Sequence, residues 1–109
     1  MIANKPWGWD TATPEELKEI HAKLSELERR TWSEILVKSA YQNHRVRVTQ
    51  VCPDAQRRLD ELGYGDLEHL VSLRLGATER VWGVLNEAVL TLLWWDPNHS
   101  VYPVQMKNT

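Results

Sequence analysis

The fold is decided by the stretch Ala88-Val89-Leu90-Thr91-Leu92-Leu93-Trp94-Trp95, which ends abruptly in Asp96-Pro97-Asn98-His99. This almost purely apolar run is rich in branched and aromatic side chains and is closed by turn formers. It predicts a central β-strand that is buried on both faces. Such a strand brings a few polar side chains to the edge of a rigid core, where binding or chemistry is often located.

The residues before this run predict two more strands. Val71, Leu73 and Leu75 alternate with polar residues, and turn formers follow at 76–79. A second strand is predicted over 80–85 and a tight turn at 86–87. We therefore expect a three-stranded antiparallel meander whose third strand lies inside the sheet.

The first half of the chain predicts helices and one further strand. Thr13-Pro14-Glu15-Glu16 and Thr31-Trp32-Ser33-Glu34 are helix starts of the capping-box type. An alternating strand is expected over 44–49, a short helix from Pro53 to the stop at Gly63, and a helical turn over 66–70. One apolar stripe on the first helix consists of Leu17, Ile20, Leu24 and Leu27.

These elements predict one α+β domain over residues 1–109, in which helices pack on one face of a small, mainly antiparallel, four-stranded sheet. Residues 1–12 lack periodicity and form an irregular N-terminal arm. The arm contains Trp7 and Trp9, which are costly to leave in water, so we expect it to fold back onto the domain or to meet a partner.

The composition is that of an ordinary globular protein, with 109 residues, 42% hydrophobic residues and 26% charged residues. Cys52 is the single cysteine, so no disulfide can form within the chain. We expect a cytoplasmic protein without a membrane partner, because no signal-peptide pattern and no apolar run of about 20 residues is present.

The net charge of −2 argues mildly against general nucleic-acid binding, but the charge is uneven. Residues 38–58 contain five basic side chains and one acidic side chain, Asp54. Arg45 and Arg47 in this segment are candidate RNA- or phosphate-binding residues. The alternative is a solvated face that pairs with neighbouring acids.

The end of the chain contains the other candidate residues. Arg74 and Arg80 flank the first turn of the meander and could hold a phosphate through forked hydrogen bonds. His99, Tyr102 and Lys107 follow the third strand and could transfer protons near neutral pH. The alternative is structural: Asp96-Pro97-Asn98 is a good turn on its own, Tyr102 would cover the core, and the arginines would pair with Glu79 and Glu87. Four histidines without a thiolate cluster predict neither a metal site nor a cofactor.

Three segments resemble a family of small uncharacterised bacterial proteins: Ser72-Leu73-Arg74-Leu75, Arg80-Val81-Trp82-Gly83 and Leu93-Trp94-Trp95-Asp96-Pro97-Asn98-His99-Ser100-Val101-Tyr102-Pro103. The resemblance runs from about Thr31 to the end of the chain and implies no established activity. A looser similarity connects the chain to RelE/ParE-type toxins of toxin–antitoxin pairs. It implies an antitoxin partner, an RNA or ribosome target, phosphate-binding roles for Arg74 and Arg80, and a proton-transfer role for His99 or Tyr102.

The sequence departs from those toxins in its long helical segment before the first strand and in its slightly acidic charge. Two functional interpretations stay open. The first is a RelE-like, RNA-cleaving toxin. The second is a non-catalytic module that binds a partner protein or forms a homo-oligomer, as the six tryptophans of the chain favour.

Overall fold

The computed structural model describes residues 7–38 and 43–103, with the backbone alone at 37 and 38. The helical elements are α1 (Pro14–Leu27), a π-helical segment (Glu34–Lys38) and α2 (Pro53–Glu61), with short 3-10 turns at Trp9–Thr11 and Val48–Gln50. The strands are β1 (Asn43–Arg47), β2 (His69–Arg74), β3 (Arg80–Asn86) and β4 (Val89–Asp96). No helix in these ranges is long and apolar enough to cross a membrane.

The four strands form one antiparallel sheet in the order β1-β2-β3-β4. The α+β class and the C-terminal meander are therefore confirmed. The predicted position of the third meander strand is wrong, because β4 lies at the edge of the sheet. Its first residues are exposed or half-buried, and only Trp94, Trp95 and Asp96 are buried.

A β-bulge divides β4 into these two parts. The Cα pairing with β3 moves from Trp82↔Trp94 to Gly83↔Leu92, so Leu93 is the extra residue. Gly83 makes the close approach possible, since a Cβ atom there would lie 2.6 Å from the carbonyl oxygen of Thr91. An apolar run can satisfy the hydropathy pattern of a central strand and still bend away from the core at such a point.

Helices cover both faces of the sheet, and the prediction that they pack on one face is wrong. Ala55 and Leu59 of α2 pack with Leu70 and Trp82 on one face, which we call the α2 face. On the opposite face, called the α1 face, α1 and the π-helical segment pack on a second set of sheet residues: Val71, Leu73, Val81 and Trp95. The periodicity of single helices does not reveal which side of a sheet each one covers.

The helix starts agree with the sequence. The Thr13 side chain and the Glu16 carboxylate form the reciprocal capping box of α1, and Thr31 and Glu34 form a second one. The stripe on α1 is only partly buried: Ile20 and Leu27 are buried, whereas Leu17 is exposed. The helical turn expected over 66–70 is wrong, because β2 begins at His69.

The described part of the N-terminal arm folds back over the edge of β4, as expected. The backbone N–H of Trp95 donates to the Trp7 carbonyl oxygen (3.1 Å), and the Trp9 indole donates to the Leu93 carbonyl oxygen (3.2 Å). Trp7 belongs to the core of the α2 face and Trp9 packs against the core of the α1 face. The arm therefore straddles the edge at 93–95 and satisfies backbone groups that an edge strand otherwise leaves unpaired.

Candidate functional site

Three of the polar residues singled out by the sequence form a row across the end of the sheet. Arg74 of β2 lies opposite Arg80 of β3, and Arg80 lies opposite Asp96 of β4. Directly opposed residues share a face of an antiparallel sheet, and here they share the α2 face with Trp82 and Trp94. The loop after β2 also contacts the turn after β4, because the Thr78 hydroxyl donates to the Pro97 carbonyl oxygen (2.7 Å).

Asp96 is fully buried and holds the turn that follows β4. Its Oδ2 atom accepts from the Trp82 indole (3.1 Å) and from the Val101 N–H (2.9 Å). Its Oδ1 atom accepts from the N–H (2.9 Å) and the hydroxyl (3.1 Å) of Ser100. With four donors, this carboxylate is occupied by the structure of the turn, which is the structural alternative considered above.

Arg80 is also buried and binds the loop between β2 and β3. Its Nη1 atom donates to the carbonyl oxygens of Gly76 (3.0 Å), Glu79 (3.0 Å) and Ala77 (3.4 Å). Burial, and then the nearby Arg74 charge, lower the pKa of Arg80, while Asp96 opposes that shift. A guanidinium that already holds three loop carbonyls is poorly placed to receive a phosphate.

Arg74 is more accessible than Arg80. It is half-buried, and its Nε atom donates to the same Gly76 carbonyl oxygen (3.1 Å). The two arginines therefore clamp one loop from both strands. Neither forms an ion pair with Glu79 or Glu87 among the ion pairs of the described residues.

His99 and Tyr102 lie close together in the turn after β4. Their ring centroids are 6.4 Å apart, and both side chains are half-buried. His99 has a φ of 57°, a left-handed conformation that side chains seldom adopt, although histidine does so more often than most. Tyr102 packs against the core of the α2 face, so the turn lies on the same side of the sheet as Arg74 and Arg80. Lys107, the third predicted catalytic residue, lies outside the described residues.

Arg45 and Arg47 lie elsewhere. They are exposed on β1, the opposite edge strand, and pair with Val71 and His69 of β2. This register places them on the α1 face, whereas Arg74 is on the α2 face. Arg47 lines a cleft of about 410 Å³ together with Asp60 and Glu68, among other residues, so the cleft is of mixed charge. The four candidate phosphate-binding arginines do not form one cluster, and their roles stay predictions.

A second surface, which we call the apolar groove, was not predicted from the sequence. It has a volume of about 560 Å³ and lies on the α1 face, between the end of α1 and the β3–β4 hairpin. Twelve residues line it: Leu24, Leu27, Glu28, Arg30, Thr31, Trp32, Ile35, Leu73, Ala88, Val89, Leu90 and Leu92.

The groove is apolar except at its rim. Of the described residues that line it, two are charged, Glu28 and Arg30, and they have opposite signs. Val89 is 66% exposed and Leu92 is 36% exposed, two of the four large hydrophobic side chains exposed among the described residues. The indole of Trp32 fixes the tip of the hairpin by donating to the Ala88 carbonyl oxygen (3.2 Å). Sequence alone did not find this surface because Val89 and Leu92 belong to the run that reads as core.

No group of three or more His, Cys, Asp or Glu residues within 7–38 and 43–103 is arranged to hold a metal ion. Comparison of the chain with family models, with curated proteins and with solved structures gave no match.

Proposed function

We propose that the protein is a non-catalytic interaction module that binds a protein partner through the apolar groove. The observation that carries this proposal is the exposure of Leu92 beside the half-buried Leu90, Trp32 and Leu24, all of which line the groove. Exposed apolar side chains that line one groove mark an interaction site more often than scattered ones do. A groove with one acid and one base at its rim fits a partner that presents an apolar, uncharged segment.

The hydrogen bonds of the polar row also support a non-catalytic function. Arg80 and Asp96 direct their hydrogen bonds to their own loops. Proton transfer and charge stabilisation in catalysis need groups that can reach a substrate. Arg80 and Asp96 therefore stabilise the fold, whereas the groove beside Trp32 is lined mainly by apolar side chains.

Site-specific photocrosslinking in the native host tests this function. A photoreactive amino acid replaces Leu92 in the groove or, as a matched control, Leu62, which is 51% exposed at the end of α2. We expect discrete protein adducts from position 92, identified by mass spectrometry, and none from position 62. Equal labelling from both positions, or no adduct from position 92, would contradict an interaction function for the groove.

The RelE-like toxin is the second candidate, and one observation favours it: Arg74, His99 and Tyr102 occupy the same end and the same face of the sheet. In this version Arg74 binds a phosphate and His99 or Tyr102 transfers a proton, while Arg80 supports the loop. Expression should then arrest growth and cleave RNA. Arg74→Ala and His99→Ala should relieve the arrest, and Arg45→Ala on the far strand should not. Normal growth with intact RNA on wild-type expression would exclude the toxin.

A further inference from the structure

Among residues 7–38 and 43–103, no strand pairs with the exposed part of β4 on the side away from β3, so this part is a sheet edge. The N-terminal arm covers the backbone at Leu93 and Trp95, and the residues before the bulge, 89–92, lie outside that cover. Natural sheets usually protect such an edge with charges or proline, and neither occurs between Ala88 and Trp95. An uncharged, apolar edge of this kind is a template for an additional strand.

We propose that a second copy of this chain occupies this edge, by antiparallel pairing of β4 with β4 of its partner around a two-fold axis. The inference rests on the proposed interaction function and names the partner. A two-fold axis makes such a contact reciprocal: if residue i of one copy lies opposite residue j of the other, then residue j of the first lies opposite residue i of the second. Its neighbours at Glu87 and Asp96 stay outside the pairing, so no charge enters it.

The faces of the sheet fix the register. Thr91 lies opposite Val84 on the α2 face, whereas Leu90 and Leu92 lie on the α1 face and line the groove. In a continuous sheet, two residues that lie opposite each other have their side chains on the same face. The two-fold axis must therefore pass beside a residue of β4 and not between two successive residues. Centring on Thr91 places Leu90 opposite the partner's Leu92 and Thr91 opposite the partner's Thr91.

This register joins the two grooves on one side of the extended sheet. The four leucines bury one another, and the two threonines form a cross-strand pair of a favourable type. The pairing spans 90–92 and stops where the Trp9 indole already occupies the Leu93 carbonyl oxygen. Charge does not oppose it, because each groove contributes one acidic and one basic side chain, Glu28 and Arg30. A contact this short predicts a weak dimer that forms in a concentration-dependent way.

Analytical ultracentrifugation of the purified full chain gives the first test. The mass should rise with concentration from 12.7 kDa to twice that value. Leu92→Glu should weaken dimerisation by about 100-fold or more, because each copy would bury an unpaired carboxylate. Leu62→Glu adds the same charge at the exposed residue that follows α2 and should leave the dimer intact. A monomer at all concentrations up to about 1 mM, or equal effects of the two variants, would overturn the proposal.

Disulfide trapping tests the register without relying on a destabilising variant. In a Cys52→Ser background, Thr91→Cys places two thiols on directly opposed positions, where the Cα separation of about 5 Å suits a disulfide. Val89→Cys is the control, since the two copies of position 89 would lie about 13 Å apart along the pair. A covalent dimer should form on mild oxidation at position 91 and not at position 89. Equal trapping at both positions, or none at 91, would contradict this register.

The two experiments separate the claims. If crosslinking from position 92 yields only a different protein and the purified chain stays monomeric, the second copy is wrong and the interaction function stands. If no adduct forms at all and the chain is monomeric, both proposals fail.

Discussion

The two halves of β4 have nearly the same apolar composition and opposite surroundings. Val89–Leu92 is largely open to solvent, whereas Trp94–Asp96 is fully buried between helices, arm and turn. The bulge at Leu93 separates them. The two halves differ in burial because the N-terminal arm and the turn that folds back through Val101 cover the second half only. Hydrophobicity in this strand therefore serves the core at one end and, by our proposal, a partner at the other.

The largest effect on stability should come from truncating a side chain in the buried half of β4. Trp94→Ala removes a ring that is 1% exposed and packs against Trp7 at a centroid distance of 5.1 Å. We expect the free energy of unfolding to fall by about 3–5 kcal/mol, measured by urea denaturation. Leu92→Ala in the open half should cost less than about 1 kcal/mol in dilute solution. Similar losses for the two variants would erase the distinction between the halves.

Asp96 should be the next most sensitive position. Asp96→Ala leaves the Trp82 indole and the N–H groups of Ser100 and Val101 without an acceptor in a buried site. The loss should be about 2–4 kcal/mol, read from the thermal midpoint. Asp66→Ala, which alters an exposed turn carboxylate, serves as the control. A harmless Asp96→Ala would mean that Asp96 does not hold the turn.

The bulge itself can be challenged through Gly83. Gly83→Ala forces a methyl group against the Thr91 carbonyl oxygen and Leu90, so we expect a destabilisation of about 1–3 kcal/mol. Gly76→Ala meets only the end of the flexible Glu79 side chain and should be tolerated better. Equal chemical denaturation midpoints for the two variants would argue against the close approach of β3 and β4.

The smallest effect should come from the tip of the open half. Val89→Glu changes a side chain that is 66% exposed and should alter the free energy of unfolding by no more than about 0.5 kcal/mol. Calorimetry in dilute solution measures this. A large loss would show that Val89 already belongs to a closed core.

Local signals in the sequence predicted much of this fold. Capping boxes at Thr13 and Thr31 gave the helix starts, and alternation with turn residues gave the meander. Each of these depends on residues within a few positions of one another. The edge position of β4 and the face covered by α2 depend on contacts between distant segments, such as the hydrogen bond from Trp95 to Trp7.

The candidate site also has features that the sequence predicted and features that it could not predict. The sequence brought Arg74, Arg80, His99 and Tyr102 to attention, and the structure places them at one end and on one face of the sheet. The sequence could not show that the Nη1 atom of Arg80 donates to three loop carbonyl oxygens, because these hydrogen bonds depend on how the 76–79 loop folds back. The groove could not be predicted, since hydropathy does not distinguish an apolar residue in a core from one on an interface.

Hydrogen exchange at two protein concentrations tests the central claim most directly. We expect those amides of 90–92 that point away from β3 to exchange fast in dilute protein and to gain protection as concentration rises, while the amides of 94–96 are protected at both concentrations. Protection of the outward amides that does not change with concentration would contradict the claim that the open half of β4 binds a second copy.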